Sequence, residues 1–81
     1  MTDKQKLAMQ ALSQDLYRVA VGRYRGQKTM ATRFTDEAKN RLREINDTSF
    51  REKVQLSLNS TAERSAEDLL MYSVLARNRA K

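Results

Sequence analysis

The chain has 81 residues, of which sixteen are Lys or Arg and ten are Asp or Glu, so its net charge is +6. It contains neither cysteine nor histidine, which excludes disulfides, thiolate metal sites and the Ser–His or Cys–His pairs of many hydrolases. With no proline and only two glycines, it is typical of a single all-α domain over residues 1–81, built from long helices and short loops.

The first predicted helix covers residues 3–25, and Thr2 or Asp3 is expected to cap its N-terminus. A stripe at helical spacing predicts its buried face, which comprises Ala8, Met9, Leu12, Leu16, Val19 and Ala20. A second apolar stripe lies beside the first and comprises Tyr17, Val21 and Tyr24. Because one helix face rarely needs both stripes, the second predicts either another neighbouring helix or a partner surface.

The segment GRYRGQ, residues 22–27, holds both glycines of the chain. Gly26 or Gly22 is expected to end the first helix, because glycine adopts the left-handed conformation without a steric penalty. The segment lacks the spacing of a Walker or dinucleotide-binding loop. We therefore predict a helix stop that also begins a run of positive charge.

The sequence TDEA at residues 35–38 favours a second helix that starts at Thr35, with Phe34 packed against its first turns from the preceding position. An alternative start near Thr29 is supported by the helical spacing of Ala31 and Phe34 with the later apolar positions. The sequence does not separate these two starts. Both starts share the buried positions Ala38, Leu42 and Ile45.

Two capping boxes predict two further helices. The first, SFRE at residues 49–52, starts a short third helix over residues 49–58. Its buried side comprises Phe50, Val54 and Leu58. The second, STAE at residues 60–63, starts a fourth helix over residues 61–78. The predicted fold is thus a compact bundle of four helices, two long and two short, with the first and fourth as the long packing pair.

The fourth helix is unusually apolar, since residues 69–76 read LLMYSVLA. A stripe of mostly small residues predicts close approach of another helix and comprises Ala62, Ala66, Leu69, Ser73 and Ala76. Leu70 and Val74 lie beside this stripe, and Met71 and Leu75 lie on the far side. Because so short a chain has little other helix to cover them all, we predict a homodimer. The alternative is that Met71 and Leu75 are simply exposed.

The acidic residues are mostly interleaved with basic ones, which is typical of a solvated surface. Two pairs at i, i+4 spacing are expected to form surface ion pairs, Glu37 with Arg41 and Asp47 with Arg51. No Glu-x-x-His motif is present. We therefore expect no enzyme activity, no metal site and no cofactor.

The excess positive charge is concentrated in residues 23–34, which carry four basic side chains and no acidic one. Confined positive charge attracts nucleic acids, and a tyrosine between arginines is suited to stacking on a base. The predicted contacts to DNA or RNA lie in a basic connector over residues 23–33 and in a second cluster at the C-terminus. They are Arg23, Tyr24, Arg25, Lys28, Arg33, Arg77, Arg79 and Lys81.

A helix–turn–helix alternative places base-reading side chains on the third helix, where Arg51, Gln55 and Asn59 share one face. A recognition helix normally lies in a positive field, whereas residues 35–58 carry five charges of each sign. A solvated helix face is therefore the favoured interpretation.

Two functions follow from these patterns. The first is a small regulatory or accessory binding protein, non-enzymatic, that associates with nucleic acid through residues 23–33. The second is a helical protein–protein interaction module that homodimerises, with charge serving solubility. Its expected interface comprises Tyr17, Val21, Tyr24, Met71 and Leu75. No stretch has the apolar length of a membrane span or resembles a secretory signal, so we expect a cytoplasmic protein without membrane contact.

Overall fold

The computed structural model describes residues 2–60 and 64–80, and within them it contains four helices and no strand. They are α1 (Asp3–Tyr24), α2 (Lys28–Leu42), α3 (Thr48–Asn59) and α4 (Arg64–Arg79). α1 packs against both α2 and α4, and α3 packs against the same two helices. The predicted all-α bundle of four helices is confirmed.

Both ends of α1 follow the sequence signals. Thr2 caps the N-terminus, where its hydroxyl oxygen accepts a hydrogen bond from the backbone N–H of Gln5 at 3.2 Å. At the C-terminus the N–H of Gln27 donates to the carbonyl of Gly22 at 2.8 Å, and the N–H of Gly26 donates to that of Arg23 at 3.3 Å. With Gly26 at a φ of 72°, this is a Schellman motif, and the predicted helix stop is confirmed.

Gly22 has a different role from Gly26, because it is buried within α1 where α2 crosses it. A Cβ atom placed on Gly22 would lie 3.2 Å from the Cβ of Ala31, which is tighter than ordinary van der Waals contact. The glycine therefore allows the two helix backbones to approach immediately after the turn that joins them.

The preferred start of the second helix, at Thr35, is wrong. α2 begins at Lys28, close to the alternative start, because Gln27 serves both as the last residue of the Schellman turn and as the N-cap. The Thr35 hydroxyl instead donates to the carbonyl of Ala31 at 2.7 Å, a bond made inside a continuing helix. Phe34 lies within α2 and packs against the core. Most of the predicted basic connector is therefore helix.

The cap of α3 also differs from the prediction. Asp47 is the N-cap, and its Oδ1 accepts a hydrogen bond from the N–H of Phe50 at 3.0 Å, so α3 begins at Thr48 and Ser49 lies inside it. The capping box predicted for the fourth helix depends on residues 61–63, which lie outside the described residues. Ser60 serves as the C-cap of α3.

The stripes that the sequence predicts to be the buried faces of the first three helices are buried. Ile45 follows the end of α2 and is nevertheless only 1% exposed, so it closes the core below the α2–α3 turn. The buried row of α4 has mostly small side chains and consists of Ser65, Leu69, Ser73 and Ala76.

Two serines fix the crossing of α1 and α4. The Ser13 hydroxyl donates to the carbonyl of Ser73 at 2.7 Å, and the Ser73 hydroxyl donates to the carbonyl of Ser13 at 3.0 Å. Since Arg23 reaches Ser65 while Ser13 reaches Ser73, the two helices run antiparallel. Each buried hydroxyl is satisfied by a backbone group of the neighbouring helix, which allows serine at a position where a larger apolar side chain would force the helices apart.

Neither of the two expected surface ion pairs forms among the described residues. Arg41 lies 3.8 Å from Glu44 and 4.0 Å from Asp15 of α1, whereas Glu37 pairs with Arg33 at 3.9 Å. Asp47 pairs with Arg79 of α4 instead of Arg51. Arg51 donates at 3.4 Å to the carbonyl of Ile45. Helical spacing alone therefore did not identify the partners of these side chains.

Asp15 is the buried carboxylate of the α1–α2 interface, with 6% of its surface exposed. Its oxygens lie 3.9 Å from Arg18 and 4.0 Å from Arg41. Burial raises the pKa of Asp15 above its usual 3.8, nearby Glu37 raises it further, and Arg41 and Arg18 oppose the shift. Ionised Asp15 therefore destabilises the fold relative to the unfolded chain.

We expect Asp15→Asn to stabilise the protein at neutral pH and to have little effect in strong acid. Because the folded pKa is the higher one, the wild-type carboxyl has no ionisation penalty below pH 3.8 and acquires it as pH rises through the folded value. Urea unfolding of both proteins across this range measures the effect. A variant that is less stable than wild type at neutral pH would contradict it.

Asp47→Asn is the matched control, because folding lowers the pKa of Asp47 whereas it raises that of Asp15. The hydrogen bond from the Phe50 backbone N–H, followed by that from Arg79, lowers the pKa of Asp47 below 3.8. Its carboxylate therefore contributes stability above that pH, and the contribution is lost as pH falls through the folded value. The asparagine keeps a capping oxygen but not the charge, so this variant should lose stability at neutral pH and match wild type in acid.

Candidate functional site

The guanidinium of Arg23 is a structural group in this fold. Its Nη1 donates to the carbonyls of Ser57 and Ser60 at 3.1 and 3.0 Å and to the Ser65 hydroxyl at 2.9 Å. Its Nη2 donates to the carbonyl of Leu58 at 2.6 Å. Three of these acceptors are carbonyls at the C-terminus of α3, where a cation is favoured by the helix dipole. Burial lowers the pKa of Arg23.

The other predicted phosphate contacts near the α1–α2 turn differ in availability. Tyr24 is 87% exposed, and Arg25 and Lys28 are also exposed, without an ion pair to any other residue that the structure describes. Arg33 pairs with Glu37, and its guanidinium lies 5.9 Å from the centre of the Phe34 ring. Arg25 and Lys28 are therefore the cations at this turn that have no ion pair among the described residues.

The C-terminal basic cluster lies at the opposite end of the bundle, which is 36 Å long. Because α4 runs antiparallel to α1, its last turn lies beside the α2–α3 connection, where Arg79 pairs with Asp47 and covers the Phe50 ring at 4.6 Å. Arg77 is exposed in the same turn, and Lys81 lies outside the described residues. The structure does not bring the two predicted basic clusters together.

The helix–turn–helix alternative gains no support from the geometry of α3. Arg51 and Gln55 are half-buried, and the Gln55 amide donates to the Asn59 side chain at 3.4 Å. Arg51 donates to the carbonyl of Ile45 in the α2–α3 connection, as described above. These side chains form hydrogen bonds within the protein, which agrees with the interpretation of an ordinary helix face.

Several exposed apolar side chains lie on α4 and on the adjoining edge of α1. Leu70, Met71, Val74 and Leu75 are each between 40% and 48% exposed. Next to them, Tyr17 is 54% exposed and Val21 is half-buried. We call this surface the α1/α4 face, and it comprises Tyr17, Val21, Tyr24, Leu70, Met71, Val74 and Leu75.

A groove of about 360 Å³ runs between the two helices of the α1/α4 face. Tyr17, Val21 and Tyr24 form its α1 wall, and Ala66 and Leu70 form its α4 wall. The groove thus brings Tyr17, Val21 and Tyr24 of the expected interface beside Leu70, which that interface omitted, whereas Met71 and Leu75 do not line it. The spacing of Leu70 from the tyrosines along the chain gave no indication that they would meet; only the antiparallel arrangement of α1 and α4 brings them side by side.

No group of three or more acidic side chains in residues 2–60 and 64–80 could hold a metal ion. Over the same part of the chain, no helix combines the length and apolar character needed to cross a membrane. Comparison with protein-family models, with curated proteins and with solved structures finds no match to this chain.

We expect Arg23→Met to lower the free energy of unfolding by about 2 kcal/mol, because the carbonyls at the end of α3 lose a charged donor. The methionine keeps an apolar stem, so the loss isolates the guanidinium. Arg25→Met removes the same charge two residues away and should change stability by less than about 0.5 kcal/mol. Urea unfolding measures both. Equal effects of the two substitutions would contradict the structural role of Arg23.

Proposed function

We propose that this chain is a non-enzymatic helical interaction module whose working surface is the α1/α4 face. The observation that carries the proposal is the distribution of side chains around α4. Its inward row is mostly small, and its outward row contains two leucines, a methionine and a valine. A surface helix normally has the reverse arrangement, with its large apolar side chains inside.

An outward apolar row of this kind is costly in water unless another surface covers it. The net charge of +6 keeps a protein with such a face soluble. The groove beside Leu70 offers a place for an apolar side chain of a partner helix, and the exposed tyrosines at its wall are residues favoured in interfaces. These features together support recognition of a helical partner.

A photo-crosslinking amino acid introduced at Leu75 tests the proposal in the cells from which the chain comes. We expect a covalent adduct of discrete mass from position 75. The matched control is position 56, because Leu56 is 72% exposed but lies on α3, outside the α1/α4 face. Position 56 should give no adduct. Absence of any adduct from position 75, or equal adducts from both positions, would overturn the proposal.

A second candidate is association with nucleic acid at the α1–α2 turn, in a regulatory or accessory role. The observation that favours it is specific: the most exposed aromatic of the chain, Tyr24, lies beside Arg25 and close to Lys28, and both cations lack an intramolecular ion pair among the described residues. Arginine or lysine beside an exposed ring is suited to a phosphate and a stacked base.

Fluorescence anisotropy of labelled duplex DNA and single-stranded RNA tests this second candidate. Binding should weaken steeply as salt rises, and Arg25→Ala with Lys28→Ala should abolish it. The control variant, Arg43→Ala with Lys53→Ala, removes the same charge from exposed positions far from the turn and should bind as wild type does. Equal losses in both double variants would mean non-specific attraction and would reject a site at the turn.

A further inference from the structure

We propose that the partner of the α1/α4 face is a second copy of this chain, with the two α4 helices packed antiparallel. The inference rests on the proposed function, since it assigns an occupant to the same face. Its basis is a stripe on the exposed side of α4 that consists of Glu67, Leu70, Val74 and Arg77. Their spacing of i, i+3, i+7 and i+10 is that of a coiled-coil seam.

The order of residues along this seam is self-complementary. When two copies of the seam run antiparallel about a twofold axis, Leu70 of each copy faces Val74 of the other, and Glu67 faces Arg77. Both contacts occur twice, at symmetric positions. A parallel pairing would instead place Glu67 against Glu67 and Arg77 against Arg77, so the charges select the antiparallel arrangement.

Glu67 and Arg77 are both exposed, and neither forms an ion pair with another described residue. They also do not reach each other within one chain, because ten residues of helix separate them by about 15 Å. Arg33 and Arg79, which are also exposed, do have carboxylate partners within the bundle. The charges that flank the apolar centre of the seam are thus available to a second copy.

The twofold axis passes close to residue 72, which places Met71 near Met71 of the second copy. Methionine adapts its shape readily and is suited to a position where a side chain meets its own symmetry mate. Tyr17 lies along the other edge of the seam and extends the contact onto α1. For a chain of 81 residues, whose single core is small, burial of this face adds apolar contact that the monomer lacks.

A charge-reversal cycle on the full chain, measured by sedimentation equilibrium, tests the inference. Wild type should be a dimer. Glu67→Arg and Arg77→Glu should each raise the dimer dissociation constant by roughly tenfold or more, because like charges then face each other. The double variant should return to near the wild-type value. Leu56→Lys should leave dimerisation unchanged, and circular dichroism should report the same helix content in all variants.

A monomeric wild type, or single reversals that do not weaken the dimer, would overturn the inference. So would a double variant that stays as weak as the singles. The crosslinking experiment separates this failure from failure of the proposed function. An adduct at position 75 of twice the chain mass agrees with a second copy. An adduct of any other mass keeps the α1/α4 face as an interaction surface but rejects the second copy as its occupant.

Discussion

The bundle depends on the position of one cation, the guanidinium of Arg23. The last turn of α1 positions this guanidinium. It donates hydrogen bonds to carbonyls at the end of α3 and to a hydroxyl at the start of α4. Three helices therefore meet at one cation, which lies where the helix dipole of α3 favours positive charge. The Schellman turn at Gly26 follows directly, and the close contact of Gly22 with Ala31 brings α2 back along α1. These residues form the corner at which α1 meets the other three helices.

This corner changes the meaning of the positive charge in the sequence. Among the basic residues between positions 23 and 33, Arg23 donates hydrogen bonds to carbonyls of α3, and Arg33 forms an ion pair with Glu37. At the opposite end of the bundle, Arg79 forms an ion pair with Asp47. A charge count along the chain treats all of them as equal, whereas the folded protein divides them into cations that hold the structure together and cations that remain available. The second group contains Arg25, Lys28 and Arg77, and its members lie at two ends of the molecule.

The sequence predicted well those features that depend on local spacing. Stripes such as Leu12 with Leu16, or Phe50 with Val54, repeat at the helical period and are buried. Errors arose where two local signals competed within a few residues. Thr35 and Ser49 are good N-caps in isolation, but Gln27 and Asp47 precede them and start the helices earlier. Contacts between distant segments were not predictable from spacing. The acceptors of Arg23 lie 34 to 42 residues away, and only the antiparallel packing of α1 and α4 brings Leu70 beside Tyr17.

The two sides of α4 follow from one constraint. The reciprocal hydrogen bonds of Ser13 and Ser73 require the backbones of α1 and α4 to lie close together, which limits the inward side of α4 to small residues over most of its length. Small residues bury little apolar area, so this helix contributes less to the core than its composition would allow. Leu70, Met71, Val74 and Leu75 lie outside that inward row, between Glu67 and Arg77, and each remains 40% to 48% exposed. A helix with mostly small side chains inward and larger apolar ones outward supports the proposed interaction surface. The same close crossing that completes the monomer thus leaves the surface on which a second helix can pack.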